Sequence, residues 1–400
     1  MMGLGRYQLV RRLARGGMAD IYLAYPAPRA SRRDTEPDGP PQPVALKVLS
    51  KARAADPEAC AMFLDEARLV ALLQHDNIAA AIEVDVADGH HYLAMEYVDG
   101  TDLRAVLTAA ERAGLPLPLD AAISIVCGAA AGLDHAHHRR GPDGAPLAVV
   151  HCDVSLSNVM VGHAGAVKVV DFGIATTAIA SVRTSPGMVR GKASYMSPEQ
   201  CLGEALDLRA DVFALGVVLY ELTTGTRCFH GTTDFDCMLA VVRGGYTPPC
   251  DLIASYPRDL ERVVRTALAA SPARRFASAA AMRDALAEVA AAHGWTLGAG
   301  AIAPMMRALF GPSIEPRCHS TALPTGSMPQ LSTTPATSQH DDGPATERAT
   351  TVPEALATAE PTRPARHLVT RSDSSDDDLD ERTRGRGPLR RPHAQLAAQM

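Results

Sequence analysis

Asp153, Asn158 and Asp171 lie close together in the stretch Val149–Gly173, VVHCDVSLSNVMVGHAGAVKVVDFG. Carboxylate and amide oxygens are hard ligands suited to a divalent cation, and a carboxylate beside them can orient a hydroxyl and take its proton. Such a set suits phosphate chemistry. A second set pairs a cation with an acid. Lys47 sits in the apolar run Val44-Ala45-Leu46-Lys47-Val48-Leu49, and a lysine on a buried strand needs a partner because an unpaired buried charge is costly. Of the neighbouring acids Asp65 and Glu66, Glu66 shares a helical side with Met62 and Val70 and is the expected inward partner.

The elements that would hold these groups follow from the apolar pattern. Tyr7–Tyr25 reads as two strands around Arg15-Gly16-Gly17-Met18, and Val44–Leu49, Ile78–Val86 and His91–Tyr97 read as three more. Asp56–Leu73 is helical, with Pro57 at its first turn and Phe63, Ala67, Val70 and Leu73 at helical spacing. Pro26–Pro43, dense in proline and charge, reads as a mobile insertion. After Gly100 the texture turns helical: Asp102–Ala113, Leu119–His138, a region from Ser197, then Ala210–Gly225, Asp259–Leu268 and Ser278–His293. The expected fold class is α+β, a small sheet-rich lobe with one main helix followed by a larger helical lobe. Residues 294–311 read as a short helical extension and 312–400 as a disordered tail.

Bulk properties narrow the field. The chain has 400 residues, 46% of them apolar, enough for a substantial core, with few aromatics and much alanine. A net charge of -6 gives no global case for nucleic acid or an anionic membrane as partner. None of the eight cysteines forms a C-x-x-C pair, which points to small buried thiols in a reducing cytoplasm. The start lacks the apolar segment of a signal peptide, and no apolar run of about 18 residues suggests a membrane span. The tail holds an acidic run, SDSSDDDLDE (Ser372–Glu381), and directly after it a basic one, RTRGRGPLRR (Arg382–Arg391). Its many Ser and Thr suit phosphorylation, and its charged runs suit recruitment of partners.

Read in order, these motifs resemble those of protein kinases. Ala14-Arg15-Gly16-Gly17-Met18-Ala19-Asp20-Ile21 is similar to the glycine-rich loop G-x-G-x-x-G-x-V with only its middle glycine kept. Val44–Lys47 resembles V-A-x-K, Met95–Asp102 the hinge between lobes, His151–Asn158 the H-R-D-L-x-x-x-N loop, and Asp171-Phe172-Gly173 the D-F-G motif. Gly191–Glu199, GKASYMSPE, is similar to the end of an activation segment. The wording GGMADIYLA and YMSPEQ is nearest to bacterial-type, eukaryotic-like serine/threonine protein kinases. The resemblance covers residues 6–293, with lobes at about 6–98 and 99–293.

The resemblance implies transfer of the ATP γ-phosphoryl group, with Mg²⁺ or Mn²⁺, to Ser and Thr of proteins, autophosphorylation included. Lys47 would hold the α- and β-phosphates and pair with Glu66. Leu13, Gly16, Gly17, Ile21, Ala45, Glu96, Val98, Asp102 and Met160 would line the nucleotide, Glu96 and Val98 through their backbone and Asp102 at the ribose, with Met95 as gatekeeper. Asp153 would orient the substrate hydroxyl, and Asn158 and Asp171 would hold the metal. His151 and Phe172 would be packing residues, Glu199 would pair with Arg275, and Asp211 would anchor the catalytic loop. The alternative function is a pseudokinase, a nucleotide-binding or scaffolding module. The weakened glycine loop and two departures favour it. Cys152 replaces the usual Arg, and Ser155 the usual Lys, of the catalytic loop. Without the Arg, a phosphorylated activation loop has less to grip, so activity should depend little on such phosphorylation. Lys192 stands where Thr is usual, so a hydroxyl and an ammonium have traded places, and Lys192 would supply the charge missing at residue 155.

Overall fold

The computed structural model describes residues 2–27, 41–172 and 192–312. Six strands form the amino-terminal lobe: β1 (Met2–Leu4), β2 (Tyr7–Arg15), β3 (Ala19–Pro26), β4 (Val44–Leu49), β5 (Ala81–Ala87) and β6 (His90–Glu96). They make one antiparallel sheet in the order β1-β2-β3-β4-β6-β5. Between β4 and β5 come the single turn α1 (Lys51–Ala54) and the long α2 (Pro57–Leu72). Asp56 caps α2 by accepting from the Glu58 amide at 3.0 Å, with Pro57 in the first turn where its missing N–H costs nothing.

Strand alternation sends Val44, Leu46 and Val48 of β4 into one small core with Tyr7, Ala24 and Tyr92. Leu49 goes into another, with Phe63 and Ala67 of α2 and Leu93 and Met95 of β6. Lys47 therefore faces α2. The buried side of α2 is Ala59, Phe63, Glu66, Ala67 and Val70, whereas Met62, expected beside Glu66, is exposed. Residues four apart drift by about 40° around a helix, so Met62 has rotated out of the stripe that Val70 centres.

A strap, His75–Ala79, joins the lobes. The Val169 amide donates to Asn77 O at 2.8 Å, the Ala79 amide to Val169 O at 3.1 Å, and Asn77 Nδ2 to Val167 O at 3.0 Å. Gly132 lets the helix below approach: a Cβ there would lie 2.7 Å from Asn77 O. A small second sheet, β7 (Gly100–Asp102), β8 (Val159–Gly162) and β9 (Val167–Val169), lies at the lobe junction.

The larger lobe is helical: α3 (Leu103–Ala113), α4 (Leu119–His137), α5 (Pro198–Leu202), α6 (Arg209–Thr224), α7 (Asp234–Arg243), α8 (Pro249–Leu252), α9 (Arg258–Ala267), α10 (Ala279–His293) and α11 (Ala299–Phe310). α6 is buried nearly all round and forms the centre of the lobe. α4 is long and apolar enough to cross a membrane, although the sequence suggested no such segment. Most of it is buried here, packed against α6, α10 and α11.

The predicted elements match to within a few residues, and five further ones were not expected. β1, β7, α1 and α8 are too short to carry a pattern. α7 buries only Cys237 and Val241 and leaves Phe235 exposed, so its apolar stripe is too thin to read; a Thr233–Asp236 capping box starts it. The bulk of the Pro26–Pro43 insertion, the segment Gly173–Gly191 and the expected disordered tail beyond Pro312 lie outside the described residues.

Candidate active site

Strand register assembles most of the expected nucleotide surface. Ile21 pairs with Lys47, Ala45 with Met95, Ala14 with Ile21 and Met160 with Asp102. Leu13, Ile21, Ala45 and Met160 are each partly exposed, and Val98 is nearly buried. The loop before Ile21 is closed by the Gly16 amide donating to Ala19 O at 2.9 Å. A Cβ at Gly16 would stand 2.8 Å from that oxygen, whereas one at Gly17 meets nothing within 4 Å. The turn itself thus requires glycine at 16.

Lys47 Nζ lies 2.5 Å from Glu66 Oε1 and 3.0 Å from Asp171 Oδ1. Burial opposes its charge, yet the Asp171 and Glu66 carboxylates outweigh that and hold the lysine pKa above its ordinary value. Asp65 is the exposed neighbour, spent on Arg68. One ammonium therefore ties the sheet, α2 and the segment after β9 together.

The loop Val150–Asn158 hangs from one buried carboxylate. Asp211, in the first turn of α6, accepts from the His151 amide at 2.7 Å, the Cys152 amide at 2.8 Å and His137 Nε2 at 2.8 Å. Cys152 has φ 60° and Asp171 φ 55°, the left-handed region that non-glycine residues enter at a cost of roughly 1–3 kcal/mol each. At Cys152 the Asp211 bonds hold the strained turn. His151 packs on Phe172 with ring centroids 4.7 Å apart, and its Nε2 lies 3.1 Å from Val170 O.

Within this loop Asn158 Nδ2 donates to Asp153 O at 2.8 Å and to Asp153 Oδ2 at 2.9 Å. The same Oδ2 accepts from Lys192. Ser155 behaves otherwise: it is 1% exposed, and its Oγ is buried without a hydrogen-bond partner among the described residues. The expected exchange is therefore one-sided. The ammonium reaches Asp153, but the hydroxyl turns into the protein.

The donor set fits a divalent cation. Asn158 spends its amide nitrogen on Asp153, and Asp171 spends Oδ1 on Lys47, which among the described residues leaves Asn158 Oδ1 and Asp171 Oδ2 as hard oxygens that could hold a cation. A metal bound there would neutralise phosphate charge.

Other expected residues have additional duties. Asp102 caps α3, its Oδ1 accepting from the Ala105 amide at 2.8 Å, so half of that carboxylate is committed. The Glu96 carboxylate accepts from Lys168 at 2.7 Å and from the Ala80 amide at 3.3 Å, fixing the end of β6. Arg275 makes a two-pronged pair with Glu199 at 2.6 and 2.7 Å and stacks over Phe213. Burial, with Asp211 and Asp153 nearby, pushes the Cys152 thiol up to about 12, against any reactive role.

Sequence reasoning missed His137, Lys168 and Gln200, whose Nε2 donates to Cys152 O at 2.8 Å. Lys168, a lysine in the apolar run before Asp171, carried the same signal as Lys47.

A family model described as protein kinase domain matches residues 33–287. The chain is 39% identical to the tyrosine-protein kinase MasK of Myxococcus xanthus over 77% of this chain and 46% of that one. It is 36% identical to the serine/threonine-protein kinase Pkn1 of Myxococcus xanthus over 72% of this chain and 39% of that one. It is also 36% identical to the serine/threonine-protein kinase PknB of Mycobacterium leprae, over 71% and 43%. This chain thus spans less than half the length of these relatives. The crystal structure of the Mycobacterium tuberculosis PknI kinase domain aligns with TM-score 0.51 and 29% identity, covering 72% of this chain and 97% of that domain. With these relatives, that fold and the ordered motifs, the chain belongs to the protein kinase family.

Proposed function

We propose that the chain is an active serine/threonine protein kinase that moves the γ-phosphoryl group of ATP, with Mg²⁺, to Ser and Thr hydroxyls of proteins, itself included. One observation carries this reading: Lys47 is bracketed by Glu66 at 2.5 Å and Asp171 at 3.0 Å, an arrangement that needs sheet, α2 and the Asp171 segment all in register. In the proposed scheme Lys47 grips the α- and β-phosphates. Asp153 orients the attacking hydroxyl and takes its proton, and Asn158 and Asp171 hold the cation. Lys192, bonded to Asp153, faces the phosphate being transferred and stabilises its charge. Leu13, Ile21, Ala45, Val98 and Met160 sandwich the base.

The kinase domain is assigned to residues 6–293. The helical extension 294–311 is supported by α11, which packs on α3 and α4. A cytoplasmic location suits an ATP-dependent enzyme, and no cysteine among the described residues is in a disulfide.

A second reading, transfer to tyrosine, is favoured by the name of the MasK relative. Residues 155 and 157 argue against it, because both are Ser where a tyrosine kinase usually carries Arg at one or the other. The decisive experiment is labelling with radioactive ATP and Mg²⁺, comparing wild type with Asp153→Asn and Lys47→Ala, followed by phosphoamino-acid analysis. Label on Ser and Thr, lost in both variants, is expected. Label on Tyr alone would move the assignment to the second reading. Nucleotide binding without label would identify a pseudokinase.

A further inference from the structure

We propose that the substrate side of this cleft selects serines set among carboxylates, and that the run Ser372–Glu381 of the chain's own tail is such a substrate. The inference rests on the serine/threonine kinase reading above. Its first support is Arg104, at the start of α3. Arg104 Nε lies 3.2 Å from Ser157 Oγ, and Ser157 directly precedes Asn158 in the loop that carries Asp153. Arg104 is exposed, and no carboxylate pairs with it among the described residues.

Arg227 is a second exposed arginine without an ion-pair partner among the described residues. Both guanidiniums act electrostatically on the buried Tyr195–Glu221 hydrogen bond. Tyr195 lies in the same short turn as Lys192, the partner of Asp153. Asp236, in the first turn of α7, is spent on the Thr232 and Thr233 hydroxyls. Arg104 thus stands beside the loop that carries Asp153. A guanidinium that, among the described residues, bonds only a serine hydroxyl keeps donors for a carboxylate or a phosphate. Such a rim attracts acidic segments and disfavours basic ones.

The second support is in the sequence. SDSSDDDLDE offers Ser374 and Ser375 with Asp373 before them and Asp376, Asp377 and Asp378 directly after. In the step, the serine Oγ bonds to the γ-phosphorus of ATP, its proton goes to Asp153, and the bond to the β,γ-bridging oxygen breaks to release ADP.

The test uses the full chain with ATP and Mg²⁺, mapped by mass spectrometry. In parallel, a peptide covering residues 369–384 is compared with the same peptide carrying Asn at every Asp. Phosphate on Ser374 or Ser375 is expected. The acidic peptide should be preferred by about tenfold in kcat/KM, mostly through KM, on the scale of one charge-assisted hydrogen bond. Arg104→Glu should bring that ratio to one or below, and Arg104→Lys should keep part of it. Equal use of the two peptides, a preference untouched by Arg104→Glu, or no phosphate within residues 372–375 would each overturn the proposal. If neither peptide nor any site on the protein is labelled, the kinase reading fails and takes this inference with it.

Discussion

Lys192 donates to the same carboxylate oxygen of Asp153 that Asn158 holds at 2.9 Å. The lysine belongs to the short turn before α5, and the aspartate to the loop tethered to α6. In this pair the positive charge beside the proposed base comes from a segment 39 residues further along the chain.

If that charge serves the transferred phosphoryl group, Lys192→Ala should lower kcat by about 10²-fold, the scale of losing one electrostatic stabiliser. KM for ATP should change far less. Adding Ser155→Lys to Lys192→Ala should restore part of kcat, since it returns an ammonium to the catalytic loop. An unchanged kcat in the single variant, measured under saturating ATP, would reduce Lys192 to a surface charge.

Cys152 bears on regulation and on reactivity. A thiol with pKa about 12 carries a thiolate fraction of about one in ten thousand at pH 8. In the folded protein Cys152 should therefore resist iodoacetamide, as mass spectrometry can show, and react only on denaturation. With no cation at residue 152, replacing Thr176, Thr177, Ser181, Thr184 and Ser185 together by Ala should leave activity nearly intact; a collapse would refute the idea.

The Arg275–Glu199 pair is almost wholly buried, at 0% and 5% side-chain exposure. Removing one member strands the other charge. Arg275→Ala should cost about 3–5 kcal/mol in urea unfolding. Arg275→Met with Glu199→Leu should recover most of that loss, because no unpaired charge remains.

The lobe seam should respond to acid. His75 and His135 lie with ring centroids 5.0 Å apart, and burial lowers both pKa values. Asp76 opposes that fall at His75, while Lys168 and Arg283 add to it; at His135, His75 and Arg139 add to it. The unfolded chain then binds more protons than the folded one. Stability should be complete above about pH 6.5, the ordinary histidine value, and should decline as pH falls below it. A double variant, His75→Asn with His135→Gln, should flatten the dependence of Tm on pH between 7 and 5.5.

The groups proposed for phosphate chemistry were legible because each carries a local signal. Lys47 breaks an apolar strand, and Asp153, Asn158 and Asp171 sit at fixed offsets between short runs of valine. Glu66 was found by helical phase, but Met62 was not separated from it, since spacing alone does not fix where the stripe is centred. The inward turn of Ser155 left no trace in sequence, because burial of a hydroxyl depends on a backbone that Asp211 holds from far along the chain. The bonds between Asn77 and β9 were equally hidden. They join main-chain groups, which any residue supplies.

Those strap bonds close a mechanical circuit. From Lys47 the path runs to Glu66, along α2 to Asn77, across to Val169, and through Val170 back to Asp171 and Lys47. A closed linkage has few independent motions. Turning α2 away from the sheet must open either the Lys47–Glu66 joint or the strap–β9 joint, and both lie on the route to Asp171. A ligand that grips only the outer side of α2, far from any phosphate, would therefore still be felt at the proposed metal site.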